Sequence, residues 1–419
     1  MATLSQELLD YILDFLHTSV PSLTSSSLVS RSWLPATRHH LFRIPVLYEV
    51  SLHRNTKDNT GTFVELLSSP LCSFRYTVKG CVLNIESYSV LRRCIDALAA
   101  HTLLTDRLLF AHHRSIGEIN LTTDLQFPQK FSSLRNLVYQ FLSDVWPNDF
   151  SKLIVSLPNL ESLSVYAVYD GTRSDIPPPP SLDVIPGHQA DTFLPNLKTL
   201  RLRMSNLSDF LHWILNYPGY IPQITTLDIL IGSKYSYGWG AIGALQLFLA
   251  ANSGTLEHLS LGIMRNSNVE HDPAVSSLDI GNLPSLRSLA VRSYNVNALC
   301  HTVVHFLTGR QSTLQVLNLK IDSYSFITAA MTIDPHVVES WRSQLRESFD
   351  GKFVDEIMLF RLNVIVPATN HILFDKKLRD GAEMLWVDLL PNWETTGRLQ
   401  VGLIVGGNRS QIRWKVAMK

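Results

Sequence analysis

Hydrophobic residues recur along the middle of the chain in a Leu-x-x-Leu-x-Leu-like pattern, in which apolar and polar positions alternate at the end of each copy. Seven copies are present, and their first positions lie 30 residues apart on average. Such alternation over a short run predicts a β-strand with one buried face. The copies are Leu134/Leu137/Tyr139, Leu160/Leu163/Val165, Leu197/Leu200/Leu202, Ile224/Leu227/Ile229, Leu256/Leu259/Leu261, Leu286/Leu289/Val291 and Leu314/Leu317/Leu319. The pattern therefore predicts seven strands whose apolar side chains lie in a core.

The stretches between these strands carry apolar residues at helical spacing. Phe210, Trp213 and Ile214 fall on one face of a helix over residues 209–215, and residues 241–251 repeat the arrangement. One strand plus one helix per period of about 30 residues is the pattern of leucine-rich repeats. A single unit cannot bury its apolar face alone, so neighbouring units are expected to stack. We predict an α/β fold in which an irregular leucine-rich-repeat solenoid forms a curved parallel sheet with helices outside.

The two ends of the chain depart from this rhythm. We place a helical module at residues 1–48, the solenoid at 49–330, and terminal repeats with a capping region at 331–419. Residues 71–85 and 116–121 resemble degenerate early repeats. In the last segment, a helix is predicted over 336–349 and strands over 357–366 and 399–405. Four consecutive prolines, Pro177–Pro180, lack backbone donors and predict a loop out of the array.

The first 48 residues have the pattern of short helices rich in Leu and Ser. Residues 4–16 carry apolar side chains on more than one side of a helix, which is too short to be stable alone. A module of this size has little core of its own, so we expect its apolar surface to meet another protein. The alternative is a simple N-terminal cap for the repeats.

The spacing Leu4-x-x-Glu7-Leu8-Leu9-x-x-Ile12-Leu13-x-x-Leu16, followed by Ser22-Leu23 and Ser27-Leu28-Val29-Ser30-Arg31-Ser32-Trp33, resembles an F-box. It is especially similar to F-box proteins of mushroom-forming fungi. The resemblance implies a non-catalytic substrate-recognition subunit, which docks on the adaptor Skp1 and through it on a cullin-based ubiquitin ligase. The repeats would hold an unknown target protein. The alternative is a leucine-rich-repeat interaction scaffold that has no part in ubiquitination.

Carried over position by position, the resemblance gives a set of Skp1-contacting residues. Glu7 and Ser30 belong to the motif as residues that cap or orient helices. Ser5 stands where the family usually has Pro, and a Ser can cap a helix N-terminus. The implied Skp1 contacts are Leu4, Leu8, Ile12, Leu16, Leu23, Leu28, Val29 and Trp33.

Composition and charge argue against several other functions. The chain has 36 Lys and Arg residues and 36 Asp and Glu residues, so it lacks the basic surplus that binding to nucleic acid or to an anionic membrane surface would favour. Four cysteines are too few for a disulfide scaffold, and no apolar run is long enough to span a bilayer. We therefore expect a cytoplasmic protein, a nuclear protein or one found in both compartments. We also expect no homo-oligomer.

Candidate chemical motifs are weak. Gly238-x-Gly240-x-x-Gly243 matches a dinucleotide-binding pattern, but it does not directly follow a predicted strand. His301 and His305 share a helical face without the Glu that a zinc-protease motif places between them. We expect no metal, no cofactor and no catalytic residues.

Polar residues in and beside the strands are the candidate target contacts, although solvated strand positions would look the same. An aromatic loop, with Tyr235, Tyr237 and Trp239, is a further candidate. The strand candidates are Lys198, Arg201, Arg203, Glu257, His258, Arg287, Arg292 and Lys320.

Overall fold

The computed structural model forms two compact units, Met1–Lys198 with Tyr217–Pro222 and Thr199–Asn216 with Gln223–Lys419. It describes residues 5–16, 19–49, 58–102, 106–112, 122, 124–141, 150–167, 194–204, 207–216, 222–232, 238–264, 278–293, 302–303, 306, 314–322, 359–366, 399–405 and 410–414.

Three short helices begin the first unit, and serine side chains cap the first two. The Oγ of Ser5 accepts a hydrogen bond from the amide of Leu8 at 3.4 Å, and the Oγ of Ser19 accepts one from the amide of Ser22, also at 3.4 Å. These bonds satisfy amides that have no partner within the helix. Ser5 thus acts as the cap that its position in the sequence predicted. The helices are α1 (Gln6–Leu16), α2 (Val20–Ser27) and α3 (Leu34–Phe42), with a 3-10 helix at Arg31–Trp33.

The rest of the first unit alternates strands and helices. Its strands pair in parallel, and each lies beside its neighbour in the chain. The first strand falls within residues 1–48, which were predicted as a helical module, and it begins directly after the last helix of that module. The strands are β1 (Val46–Tyr48), β2 (Gly80–Ile85), β3 (Arg107–His112), β4 (Asn136–Phe141) and β5 (Ser162–Ala167). The helices are α4 (Thr60–Ser68), α5 (Tyr88–His101), α6 (Phe127–Lys130) and α7 (Phe150–Val155).

The second unit continues the same arrangement. Its strands are parallel from β6 to β12, and β13 pairs antiparallel with β12. The strands are β6 (Thr199–Arg203), β7 (Thr226–Gly232), β8 (His258–Met264), β9 (Ser288–Ser293), β10 (Val316–Asp322), β11 (Leu359–Val366), β12 (Leu399–Val405) and β13 (Ser410–Trp414). The helices are α8 (Leu207–Leu215) and α9 (Gly238–Ala251).

The seven predicted strands are confirmed, and they are β4 to β10. Every apolar position of the seven sequence copies is buried. The parallel register places equivalent positions side by side, so that Leu227, Leu259, Leu289 and Leu317 form one continuous row. Each unit therefore has a parallel sheet with one face in the core and helices between its strands. This is the predicted α/β leucine-rich-repeat fold.

The same pattern of backbone hydrogen bonds recurs between successive repeats of the second unit. The carbonyl oxygen of Thr225 accepts from the two amides at the start of β8, that of Glu257 from the two at the start of β9, and that of Arg287 from the two at the start of β10. Each carbonyl oxygen can accept from two amides because it has two lone pairs. These bonds hold successive strands in the same register.

The ends of the array show where the sequence pattern was incomplete. The predicted strands over 357–366 and 399–405 are confirmed as β11 and β12, whereas β1, β3 and β13 were not predicted. The early repeat expected at 116–121 and the helix expected over 336–349 lie outside the described residues. The position three residues before the buried Leu108 of β3 is Thr105, so this strand lacks the first Leu of the pattern.

Candidate protein-interaction surfaces

Helix α1 has one apolar stripe that faces its own module. Leu9 and Leu13 are buried with Leu23 of α2, and together they form a small core. Leu16, one turn beyond Leu13, packs against this core, and so does Trp33. Residues three or four apart lie on the same side of a helix, so positions 9, 13 and 16 make one continuous inward stripe.

A second apolar stripe on α1 faces outward. Leu8, Tyr11 and Phe15 are exposed, and Phe15 is 80% exposed, while Ile12 between them is half-buried. Their spacing of three and four residues makes this stripe as continuous as the inward one. Exposed apolar side chains that stand alone are ordinary, but a contiguous row of them marks an interaction surface. We call Leu8, Tyr11, Ile12 and Phe15 the outward stripe.

The turn after α2 adds a second exposed apolar element. Leu28 is 84% exposed, Val29 beside it is exposed, and Val20 at the start of α2 is exposed as well. The following Ser30 accepts a hydrogen bond at its Oγ from the amide of Ser32 at 3.3 Å, which caps the 3-10 helix. The cap fixes where the turn ends, so that Leu28 and Val29 are held out on an ordered segment.

The third side of α1 is acidic. Glu7, Asp10 and Asp14 follow one another at spacings of three and four residues. Asp14 also contacts α3, because its Oδ1 lies 3.0 Å from the Nε2 of His40. The helix therefore presents an inward apolar stripe, an outward apolar stripe and an acidic stripe, and the first of these builds the core of the module.

The helical module is joined directly to the first repeats. The rings of Phe42 at the end of α3 and Phe74 stack with their centroids 4.1 Å apart. The carbonyl oxygen of Arg43 accepts from the amides of Lys79 and Gly80, at 2.9 and 3.1 Å. The guanidinium of Arg43 also forms an ion pair with Asp106 at 3.0 Å. These contacts leave little freedom between the module and the start of the sheet.

The residues implied as Skp1 contacts divide into three groups. Leu8, Leu28 and Val29 are exposed, and Ile12 is half-buried beside Leu8. Leu16 and Trp33 are half-buried and pack against the module core. Leu4, the first of the implied contacts, lies outside the described residues.

Leu23, which the resemblance also implied as a Skp1 contact, is buried inside the module. It is 1% exposed and packs in one core with Leu9 and Leu13. Sequence reasoning also missed three exposed apolar residues, namely Tyr11, Phe15 and Val20. The spacing of Tyr11 and Phe15 relative to Leu8 was the signal that could have identified the first two.

The open face of the sheet in the second unit carries the predicted polar strand positions. Arg201, Arg203, Arg292 and Lys320 occupy outward positions of β6, β9 and β10. His258 lies on the same face, at the start of β8. Lys198, Glu257 and Arg287 lie directly before their strands rather than within them. The aromatic loop Tyr235/Tyr237 lies outside the described residues, and Trp239 falls within α9.

Two cysteines of the first unit, Cys81 and Cys94, are buried. Burial raises the pKa of the Cys81 thiol, and it raises that of Cys94 to about 12, so both thiols stay protonated and unreactive at neutral pH. No cluster of His, Cys, Asp and Glu suited to a metal ion occurs in this part of the chain. Gly238, Gly240 and Gly243 lie inside α9, not in a loop before it.

No helix among the residues that the structure describes is both long and apolar enough to cross a bilayer.

Comparisons with known proteins find a similar solved structure but no matching family model and no matching curated protein. Among solved structures, the chain is similar to the leucine-rich repeat-containing protein LegL7 from Legionella pneumophila. The two share 15% sequence identity with a TM-score of 0.45, over 87% of this chain and 92% of that chain.

Proposed function

We propose that this chain is the substrate-recognition subunit of a Skp1–cullin–F-box ubiquitin ligase, and that it has no catalytic activity of its own. The N-terminal module would bind Skp1, and the repeats would bind the target protein. Linking the two ends raises the effective concentration of the target near the ligase, with no covalent chemistry on this chain.

The observation that carries the proposal is the outward stripe of α1 together with the exposed Leu28–Val29 turn. A helix that only capped the repeats would need a single apolar stripe, yet α1 has a second one, in which Leu8, Tyr11 and Phe15 are exposed. Apolar and aromatic side chains of this kind are the usual anchors of a helix-mediated protein interface.

The attachment of the module to the sheet supports the same function. A ligase receptor has to hold its target at a defined position relative to the ligase. The Phe42–Phe74 stack and the bonds of the Arg43 carbonyl fix the module on the first repeats. A flexible tether would allow both binding events but would not fix that position.

The test is co-expression of the full chain with Skp1, followed by size-exclusion chromatography. Leu28→Asp should abolish co-elution, because it places a charge in the middle of the proposed interface. Leu71→Asp is the matched control, since Leu71 is 90% exposed in the same unit but lies outside the module. It should leave co-elution unchanged.

Two results would contradict the proposal. A folded full chain that never co-elutes with Skp1 would make the protein a leucine-rich-repeat scaffold outside ubiquitination. Equal loss of co-elution in both Asp variants would mean that general solubility, and not the turn, had been changed.

A further inference from the structure

The outward positions of β6 to β10 are unequally charged. Within the described side chains of these five strands, four outward residues are basic and one is acidic. The basic residues are Arg201, Arg203, Arg292 and Lys320, and the acid is Asp228. Because the whole chain is formally neutral, this excess is a local property of the face.

The strands between the basic residues carry small side chains. Ser260 and Gly262 on β8 and Ala290 on β9 are outward residues there, and His258 lies on the same face at the start of β8. A Cβ added at Gly262 would overlap the Cδ1 of Leu230, so the Leu230 side chain lies across the glycine. The face therefore has a low, apolar floor, with Arg201 and Arg203 on one side and Arg292 and Lys320 on the other.

The charged groups around this floor act on one another. The Nη2 of Arg203 lies 4.0 Å from the Oδ2 of Asp228. Burial lowers the pKa of Lys320; the nearby Asp228 carboxylate opposes this, while the positive charges of Arg292 and Arg203 lower the pKa further. Positive groups that repel one another in a half-buried site are stabilised by an added anion.

We propose that this basic face binds an acidic segment of the target protein, with carboxylates on the basic residues and an apolar side chain on the Leu230–Gly262 floor. The inference rests on the proposed function, in which the repeats hold the target. Five strands at a spacing of about 4.8 Å span roughly 19 Å, the length of about six extended residues. A short acidic peptide is therefore long enough to reach both basic sides.

Nucleic acid fits this face less well. Asp228 lies among the bases and would repel a phosphate backbone, whereas a peptide can offer it a backbone N–H. Base stacking on single strands uses aromatic side chains, and the described outward positions of β6 to β10 include no Phe, Tyr or Trp.

The experiment measures binding of a fluorescein-labelled peptide of about eight residues, in which Glu residues flank a central Leu, to the full chain by fluorescence anisotropy. The variant Arg292→Gln/Lys320→Gln should bind it about tenfold more weakly or worse. The variant Arg92→Gln/Arg135→Gln removes two exposed cations from the other unit, and it should bind like the unmodified chain.

Asp228→Asn gives a readout that a merely structural role would not produce. Removal of this acid should tighten peptide binding severalfold, and the affinity should fall as salt is added. A peptide with Gln in place of Glu should bind weakly or not at all.

Several results would overturn the inference. They are the absence of peptide binding, equal loss in the two double variants, or equally strong competition by a single-stranded oligonucleotide. Skp1 co-elution is measured on the same proteins. A chain that binds Skp1 but not the peptide contradicts this inference alone, whereas a chain that binds the peptide but not Skp1 contradicts the ligase assignment.

Discussion

Asn252→Ala should be one of the most destabilising polar substitutions in the second unit. The Asn252 side chain is 0% exposed and follows directly after α9. Its Oδ1 accepts from the amide of Ile224 at 2.9 Å, and its Nδ2 donates to the carbonyl oxygen of Phe248 at 3.1 Å. One side chain thus connects the end of a helix to the start of the repeat that contains β7.

The magnitude follows from what alanine would leave behind. Each lost hydrogen bond costs about 1 kcal/mol, and a buried amide left without an acceptor costs about 1–3 kcal/mol more. Ile224 is itself fully buried, so water cannot replace the lost acceptor without local opening. We expect a loss of about 3 kcal/mol in the free energy of unfolding of this unit.

Hydrogen–deuterium exchange with mass spectrometry is the suitable assay, because repeat arrays open locally and need not unfold in one step. Peptides that cover residues 222–232 should lose protection by a factor of about 100, which corresponds to about 3 kcal/mol. Urea unfolding of the same variant should show a lower midpoint.

The matched control is Asn159→Ala. Asn159 is exposed, and its Nδ2 donates to the carbonyl oxygen of Ser132 at 2.9 Å. Water can replace this donor, so the cost should stay below about 1 kcal/mol. If Asn252→Ala cost no more than Asn159→Ala, the buried bond to Ile224 would not hold the repeats together and the argument would fail.

Three further predictions concern other parts of the chain. Leu13→Ala should destabilise the module by about 2–5 kcal/mol in urea unfolding. Phe15→Ala should change the free energy of unfolding by no more than about 0.5 kcal/mol but weaken Skp1 binding by about tenfold or more in a titration. Equal effects of the two variants on stability and on Skp1 binding would contradict the two-stripe helix. Gly80→Ala should cost about 1–3 kcal/mol in thermal unfolding, because the added Cβ would overlap the backbone carbonyl oxygen of Arg107 on β3, and an unchanged melting temperature would disprove that packing. Burial raises the pKa of Cys94 from 9.0 to about 12, so the thiol of the unfolded chain releases its proton at lower pH than that of the folded chain. The free energy of unfolding should therefore fall as pH rises above 9, and it should fall less in Cys94→Ala. An identical pH dependence in both proteins would contradict this.

The fold was predictable because each repeat carries its own complete signal. Leu227, Leu259, Leu289 and Leu317 each lie in a local Leu-x-x-Leu-x-Leu copy, and stacking then places them in one row. Where a copy lost a position, as before Leu108 in β3, the local signal failed although neighbouring strands still imposed the structure. The antiparallel β13 depends only on pairing with β12, which no periodicity records.

Which residues of the helical module are buried and which are exposed was not predictable from its motif. Leu8 and Leu9 are adjacent and chemically identical, yet one is exposed and the other is buried. The difference arises from contacts with Leu23 and Trp33, which are distant in sequence. Residues that match a docking motif therefore include some that build the module and others that face outward, and only the packing separates them.

The basic face shows the same limit for charge. Arg203, Arg292 and Lys320 belong to three different repeats, and each looks like an ordinary solvated strand residue in its own segment. The parallel register places them in one row across the sheet, with Gly262 between them. Neutral overall composition conceals the excess, because acids elsewhere in the chain balance these bases in the total but not in the local potential. A repeat protein can therefore have no overall charge and still present a strongly basic site, since its register, and not its sequence neighbourhoods, determines which charges meet.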